Sequence, residues 1–405
     1  MPKILITGNG FDISCGLPTQ YSDFINILSH IESTSNITFE DIYSQTKTQE
    51  KIKTDFNSFE FNVEKIEALR NQLKDNTWYQ FFKNELKIET WIDFELKIDF
   101  VLRIICNSLN ELGIIFSNGP IDYLDNFYEN TTFKNLNIEH YQVLETFKII
   151  DYFDGILYKI IIKDHWLKKK KFYANNKFIN FNHEFIFNEL FKSLIEFRNF
   201  FSEYFRIFVF PLYDNQKSQN QKSIFNSIDN HFTFNYTPTF EKIYKKENTS
   251  FLHGKIIGDS NNIVLGVRRL DVEKMKIKNL MPFTKHFQKF NNNTDYTFLQ
   301  EFVKNTALTN FQIFIYGHSL DSSDSIYINE VFSFIDNLKS PRKKLIIIFH
   351  SEESKFNILK NLYQIIEESL IDKLIRNNFL NLYHIDSLEL RSELEKDIST
   401  KINVV

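Results

Sequence analysis

Residues 3–19 read Lys3-Ile4-Leu5-Ile6-Thr7-Gly8-Asn9-Gly10-Phe11-Asp12-Ile13-Ser14-Cys15-Gly16-Leu17-Pro18-Thr19, an apolar run that turns through a Gly-x-Gly step. The run has the composition of a buried strand. A Gly-x-Gly turn at the carboxyl end of such a strand lets the backbone approach a phosphate with its N–H groups facing outward. Taken alone, the same turn suits an ordinary strand-to-helix bend equally well. The chain holds only 10 glycines in 405 residues. Gly8, Gly10, Gly16, Gly254, Gly266 and Gly317 all fall in short motifs near predicted strand ends, so these positions call for positive φ or close backbone approach.

The length allows one large domain or two to three ordinary ones, and 42% hydrophobic with 25% charged residues is normal for a folded globular chain. The 44 Phe and 18 Tyr are read as a coding bias toward AT-rich codons, so aromatic stripes are assigned to the core. A net charge of −4 argues against a nucleic-acid partner, which usually selects a basic face. The basic cluster Lys168 to Lys171 is read as a solvated helix end. Cys15 and Cys106 do not make a disulfide framework or a cysteine-based zinc site, so a cytoplasmic protein with no metal is expected. No run approaches the roughly 18 apolar residues of a membrane helix, and the first residues do not have the pattern of a signal peptide.

Periodicity and punctuation divide the chain into three tracts. After the strand and turn, Tyr21, Phe24, Ile25, Leu28 and Ile31 recur at helical spacing and predict a helix from about Ser22. From about Phe39 to Phe210 the pattern is mostly helical and polar-aromatic, and Tyr213 to Asn230 reads as a surface loop. From His231 onward the segments 231–236, 239–246, 250–253, 262–265, 311–316, 322–338, 343–349, 354–376 and 379–384 alternate strand and helix character, and a final helix follows. Such alternation predicts a parallel sheet wrapped by helices. The expected organisation is an α/β, Rossmann-like domain from 1–38 and 231–405, with a mostly helical insertion or cap at 39–230.

Four segments fall at predicted carboxyl ends of strands, where open parallel sheets place their ligands. They are Gly8 to Asp12, Phe234-Asn235-Tyr236-Thr237, Leu252-His253-Gly254 and Tyr316-Gly317-His318-Ser319-Leu320. His253 would emerge beside a backbone able to turn sharply and could serve as a general base; it could equally be a histidine satisfied by its own loop. Asn235 can fix a ribose hydroxyl or a water, or simply form a turn. Asp12 would be repelled by a phosphate, so it is expected to tie down loop amides or accept from ribose hydroxyls. In Trp91-Ile92-Asp93-Phe94-Glu95 the two carboxylates lie two apart, off a shared helix face, which favours capping over paired acid-base work. Gly317-His318-Ser319-Leu320-Asp321 also allows a serine-hydrolase elbow at Ser319, with Asp324 or Asp336 and then His350 or His384 following in order.

In this order the segments resemble the AbiH family of phage abortive-infection proteins. That family's Gly-Asn-Gly-Phe-Asp with Gly-Leu-Pro-Thr, Trp-x-Asp-x-Glu, Phe-Asn-Tyr-Thr, His-Gly and Gly-His-Ser-Leu are met here between Gly8 and Asp324. More remotely, the order is similar to sirtuin-like NAD-consuming domains of antiphage defence. That similarity implies a diphosphate loop of Gly8, Asn9, Gly10, Phe11 and Asp12, a reaction centre of Asn235 and His253, and an adenosine side of Gly317, His318 and Ser319. Tyr236-Thr237 stand where the sirtuin-like pattern places an Asp after its Asn, and two cysteines cannot build the four-Cys zinc module of protein deacylases. The resemblance implies hydrolysis of NAD to nicotinamide and ADP-ribose, kept latent until a phage-derived protein trigger acts, in a homo-oligomer. The rival expectation is a nucleotide-binding switch without catalysis that engages a protein partner.

Overall fold

A computed structural model of the chain describes residues 2–85, 91–117, 138–151, 161–162, 167–171, 177–217, 223–257, 260–268, 270, 278–294, 298–299, 302 and 311–395. Six parallel strands form the central sheet: β1 (Lys3–Thr7), β2 (Asn230–Thr233), β3 (Thr249–Phe251), β4 (Gln312–Tyr316), β5 (Lys344–Phe349) and β6 (Leu380–His384). Across the sheet the order is β3-β2-β1-β4-β5-β6, that of a doubly wound α/β fold. The strand order therefore reverses direction between β1 and β4, and a crevice opens there at the carboxyl ends of both strands.

All five residues of β1 are buried, as expected of a central parallel strand covered on both faces. Alternation divides its side chains between two layers. Ile4 and Ile6 join Ile313, Ile315, Leu345 and Ile347 against the helices Ser325–Asn337, Glu352–Ile365 and Glu368–Arg376. Leu5 joins Phe314, Tyr316, Ile346 and Ile348 on the opposite face, over Phe11, Phe225, Phe240 and Leu390.

The largest apolar cluster lies in the helical tract. The helix Tyr21–Ser33 turns Tyr21, Phe24, Ile27, Leu28 and Ile31 into it at helical spacing. Phe24 stacks on Phe201 with ring centroids 4.0 Å apart. Two antiparallel ladders lie in this tract, Ile150–Asp151 with Ile161–Ile162 and Leu167–Lys171 with Lys177–Phe181. The lysines expected at a helix end therefore lie on a strand. Their partner segment, Lys177-Phe178-Ile179-Asn180-Phe181, is rich in residues that favour pleated backbone.

Three further expectations are corrected. Residues 262–265 are not a strand. The Leu265 N–H donates to Gln288 Oε1 (2.8 Å) and its carbonyl accepts from Gln288 Nε2 (2.8 Å), so a side chain replaces the ladder. The expected helix 354–376 is two helices, because Ile366 is extended (φ −106°, ψ 138°) and the buried positions slip phase between Ile366 and Ile371. The supposed loop 213–230 is anchored by Phe225 and Ile228 in the sheet core, and its residues 218–222 lie outside the described set.

Candidate active site

At the reversal point the loops after β1 and β4 touch backbone to backbone. The Gly8 N–H donates to Tyr316 O (3.1 Å) and the Gly10 N–H to Gly317 O (2.8 Å). Gly317 has φ +69°, and a Cβ there would overlap the Phe11 nitrogen. A Cβ on Gly10 would lie 2.8 Å from Gly317 Cα. These glycines are required by loop-to-loop approach, and the two amides expected to face a phosphate are already bonded. Asn9 ties its loop to the following turn, Nδ2 to Thr19 O at 2.9 Å. Phe11 points away from the crevice into the sheet core, edge-on to Tyr316 and Phe225.

The β2 loop joins from the other side. Asn235 donates from Nδ2 to Gly8 O (3.0 Å) and from its backbone to Thr233 Oγ1 (3.0 Å), so its side chain bridges two strand-end loops. Asp12 is buried, and its Oδ2 accepts from Thr237 Oγ1, itself supported by Thr239 Oγ1 at 3.1 Å. Asp12 Oδ1 has no hydrogen-bond partner among the described residues. Burial pushes the Asp12 carboxyl up to about 7, against the donors Thr237, Thr239 and Asn235. Loop amides or ribose hydroxyls are the expected partners of Asp12; the hydroxyl it accepts from is that of Thr237.

A charged cluster lines another part of the same crevice. Gly254, at φ +84°, turns the chain sharply after His253, where a Cβ would overlap the Asn262 carbonyl. His253 Nε2 lies 3.1 Å from Asp324 Oδ1, off the axis of a hydrogen bond, and Asp324 Oδ2 lies 3.3 Å from His318 Nε2. The Leu320 N–H donates to His318 Nδ1 (2.9 Å), which leaves Nε2–H to face Asp324. Lys285 Nζ bridges Asp324 Oδ1 (3.3 Å) and Glu95 Oε1 (2.7 Å).

Four groups of this cluster, His253, Asp324, Glu95 and Lys285, are strongly shifted. Burial pushes His253 down to about 4, with Asp324 pulling the other way, so the imidazole is neutral near pH 7. Burial works to raise Asp324, but Lys285 and His253 outweigh it and hold it well below the usual carboxylate range. Burial raises Glu95 to about 7 against the Lys285 charge, and Asp324 adds to the rise. Burial would lower Lys285, yet Asp324 and Glu95 keep its ammonium above its usual range.

These groups surround a cavity of about 560 Å³, lined by Gly8, Asn9, Gly10, Asp12, Asn235, His253, Gly317, His318 and Ser319 among others. Apart from Phe11, every residue the sequence assigned to the nucleotide site lines it, whereas the hydrolase candidates Asp336 and His384 do not. Phe205 also lines it, from the π-helical turn Phe205–Val209 that continues the helix His183–Tyr204. Glu95 lines it too, whereas the sequence pointed to capping; the side chains of 91–93 lie outside the described residues. Asp324 was weighed only as the acid of a hydrolase, and Lys285 carries no motif at all.

The hydrolase arrangement is not assembled. Ser319 is exposed, the positive-φ residues of its turn are Gly317 and Leu320, and the helix begins only at Ser325. Asp324 pairs with His253 and His318, both of which precede Ser319 in the chain. His384 Nε2 is taken by the His350 carbonyl at 3.0 Å. No hydrogen bond joins Ser319 Oγ to a histidine among the described residues.

Fold and cavity define a doubly wound α/β protein with a crevice at its topological switch point, walled in part by the helical tract. The family model described as bacteriophage abortive infection AbiH matches residues 4–194 and 183–342, and the chain belongs to that family. Membership associates it with antiphage abortive infection. No curated protein and no solved structure matches the chain. Among the described residues no helix is long and apolar enough to cross a membrane.

Proposed function

We propose that this chain hydrolyses NAD at the bond between nicotinamide and ribose, releasing nicotinamide and ADP-ribose. One observation carries the reading: a histidine kept neutral by burial stands on the wall of a nucleotide-sized cavity with an ionised aspartate 3.1 Å behind it. As the C1′–N bond breaks, its electron pair goes to the pyridinium nitrogen, which leaves as neutral nicotinamide, and positive charge develops on the ribose. Water bonds to C1′ and gives its proton to His253, whose new charge Asp324 stabilises. Asn235, fixed through Gly8 O, orients a ribose hydroxyl or the water. Ser319 and His318 lie toward the adenosine half. Activity is held back until infection, with the helical tract as gate and a phage-derived protein as trigger.

Incubating the purified protein with NAD and following nicotinamide by chromatography tests this. His253→Ala is expected to lower release by about 10²–10⁴-fold. Release that survives both His253→Ala and Asn235→Ala would move the reaction centre elsewhere. An absence of release even with phage lysate added, while NAD still raises the melting temperature, would leave a nucleotide-binding switch instead.

A further inference from the structure

We infer that Glu95 and Asp324, drawn together by Lys285, form an anionic subsite for a positively charged ribosyl group, with Glu95 as its ligand-facing member. The hydrolysis reading above supplies the identity of the ligand; the subsite itself stands on geometry. Glu95 and Asp324 both line the cavity, whereas Lys285 does not and touches them from behind. Among the described residues no Lys or Arg lines the cavity. The carboxylates thus face the ligand space while the ammonium that bridges them stands behind. Lys289 also lies outside that lining, its Nζ over the Tyr327 ring at 4.1 Å and bonded to the Tyr327 hydroxyl, and it feels both carboxylates, while burial lowers it to about 8.

Glu95 belongs to the helix Trp91–Ser117 of the inserted tract. Phe94, one residue earlier, packs at 4.1 Å on Phe82 and stacks at 5.6 Å on Phe197, which fixes the rotation of the helix and keeps Glu95 toward the crevice. Such a carboxylate, fixed before the reaction in a wall shielded from water, stabilises a ribosyl cation without taking a proton from it. Lys285 is the positioning residue. The groups facing Glu95 are Lys285, Lys289, Tyr236, Asp321 and Asp324. With Glu95 titrating at about 7, the subsite gains charge as pH rises through neutrality.

The test uses full-length protein and two probes, a protonated iminoribitol and neutral ribose, titrated calorimetrically at pH 6 and pH 8. The wild type should prefer the iminoribitol and bind it about tenfold more tightly at pH 8. Glu95→Gln should weaken that binding roughly 10- to 100-fold, reduce the pH effect to what Asp12 and Lys289 contribute, and leave ribose binding within about twofold. Glu95→Asp keeps the charge and should restore most of the cation preference, which separates charge from damage to the fold. Unchanged iminoribitol binding in Glu95→Gln, or no cation preference in the wild type, overturns the subsite. Nicotinamide release with Glu95-independent binding removes the subsite alone, whereas a Glu95-dependent cation preference without release removes only the hydrolysis reading.

Discussion

Asp12, fully buried, and Asp324, half-buried, stand on the wall of one cavity, yet their surroundings oppose each other. Around Asp12 stand neutral donors only, Thr237, Thr239 and Asn235, and its carboxyl rises to about 7. Around Asp324 stand Lys285, His253 and His318, and its carboxyl falls well below the usual range. Neutral hydrogen bonds do not offset the loss of hydration for a full charge in these walls, while one ammonium at 3.3 Å does. The second carboxylate on that ammonium shows the limit of the device, since Glu95 rises to about 7 although Lys285 is only 2.7 Å away. The crevice therefore has one side that holds protons near neutrality and another that holds fixed charge.

The largest effect should come from breaking the charged side. Lys285→Met leaves two buried carboxylates facing each other and should cost about 3–5 kcal/mol of stability, read from urea unfolding. Adding Glu95→Gln to it should return part of that loss; an unchanged midpoint in Lys285→Met would mean that the ammonium does not hold the corner. Next comes the seam between the two loops. Gly317→Ala places a Cβ against the Phe11 nitrogen at a left-handed backbone position, and a loss of about 2–4 kcal/mol in thermal unfolding is expected.

The smallest effect sharpens the neutral side. Asp12 has a folded value of about 7 against 3.8 for the free side chain, so the folded protein binds the extra proton between these pH values. Its stabilising share is full below about pH 4 and is lost as pH rises through 7. Asp12→Asn cannot titrate, so its stability relative to wild type should improve by on the order of 2 kcal/mol between pH 5 and pH 8. A difference independent of pH would show that Asp12 is ionised in the fold.

The neutral side and His253 were legible in the sequence, whereas Lys285 and the inward Glu95 were not, for a physical reason. Gly8, Asp12, Asn235, His253 and Gly317 follow apolar runs directly, so recognising the strands already placed them at one edge of the sheet. Lys285 owes its position to a helix capped by Thr284, whose Phe287 N–H donates to Thr284 Oγ1 (3.3 Å), and to Gln288 holding the backbone of Leu265. Neither contact has a local pattern. Glu95 lies on a long helix whose rotation is set by Phe94 packing on Phe82 and Phe197, and spacing alone could not tell an inward from an outward carboxylate. The phosphate-cradle reading of Gly8 and Gly10 shows the converse. The motif was seen, but its glycines answer to the neighbouring loop.

The first strand of the chain is the middle strand of the sheet. Both neighbours of β1 arrive late, Ile4 pairing with Asn230 on one side and Ile313 on the other. During synthesis the amino-terminal segment must wait, unpaired, while most of the protein is made, and such distant pairings fold slowly. Asp324 must be synthesised before a single molecule can hold both halves of the crevice. A chain cut short by stalled translation carries His253 without its aspartate. The order of synthesis thereby times the assembly of the crevice.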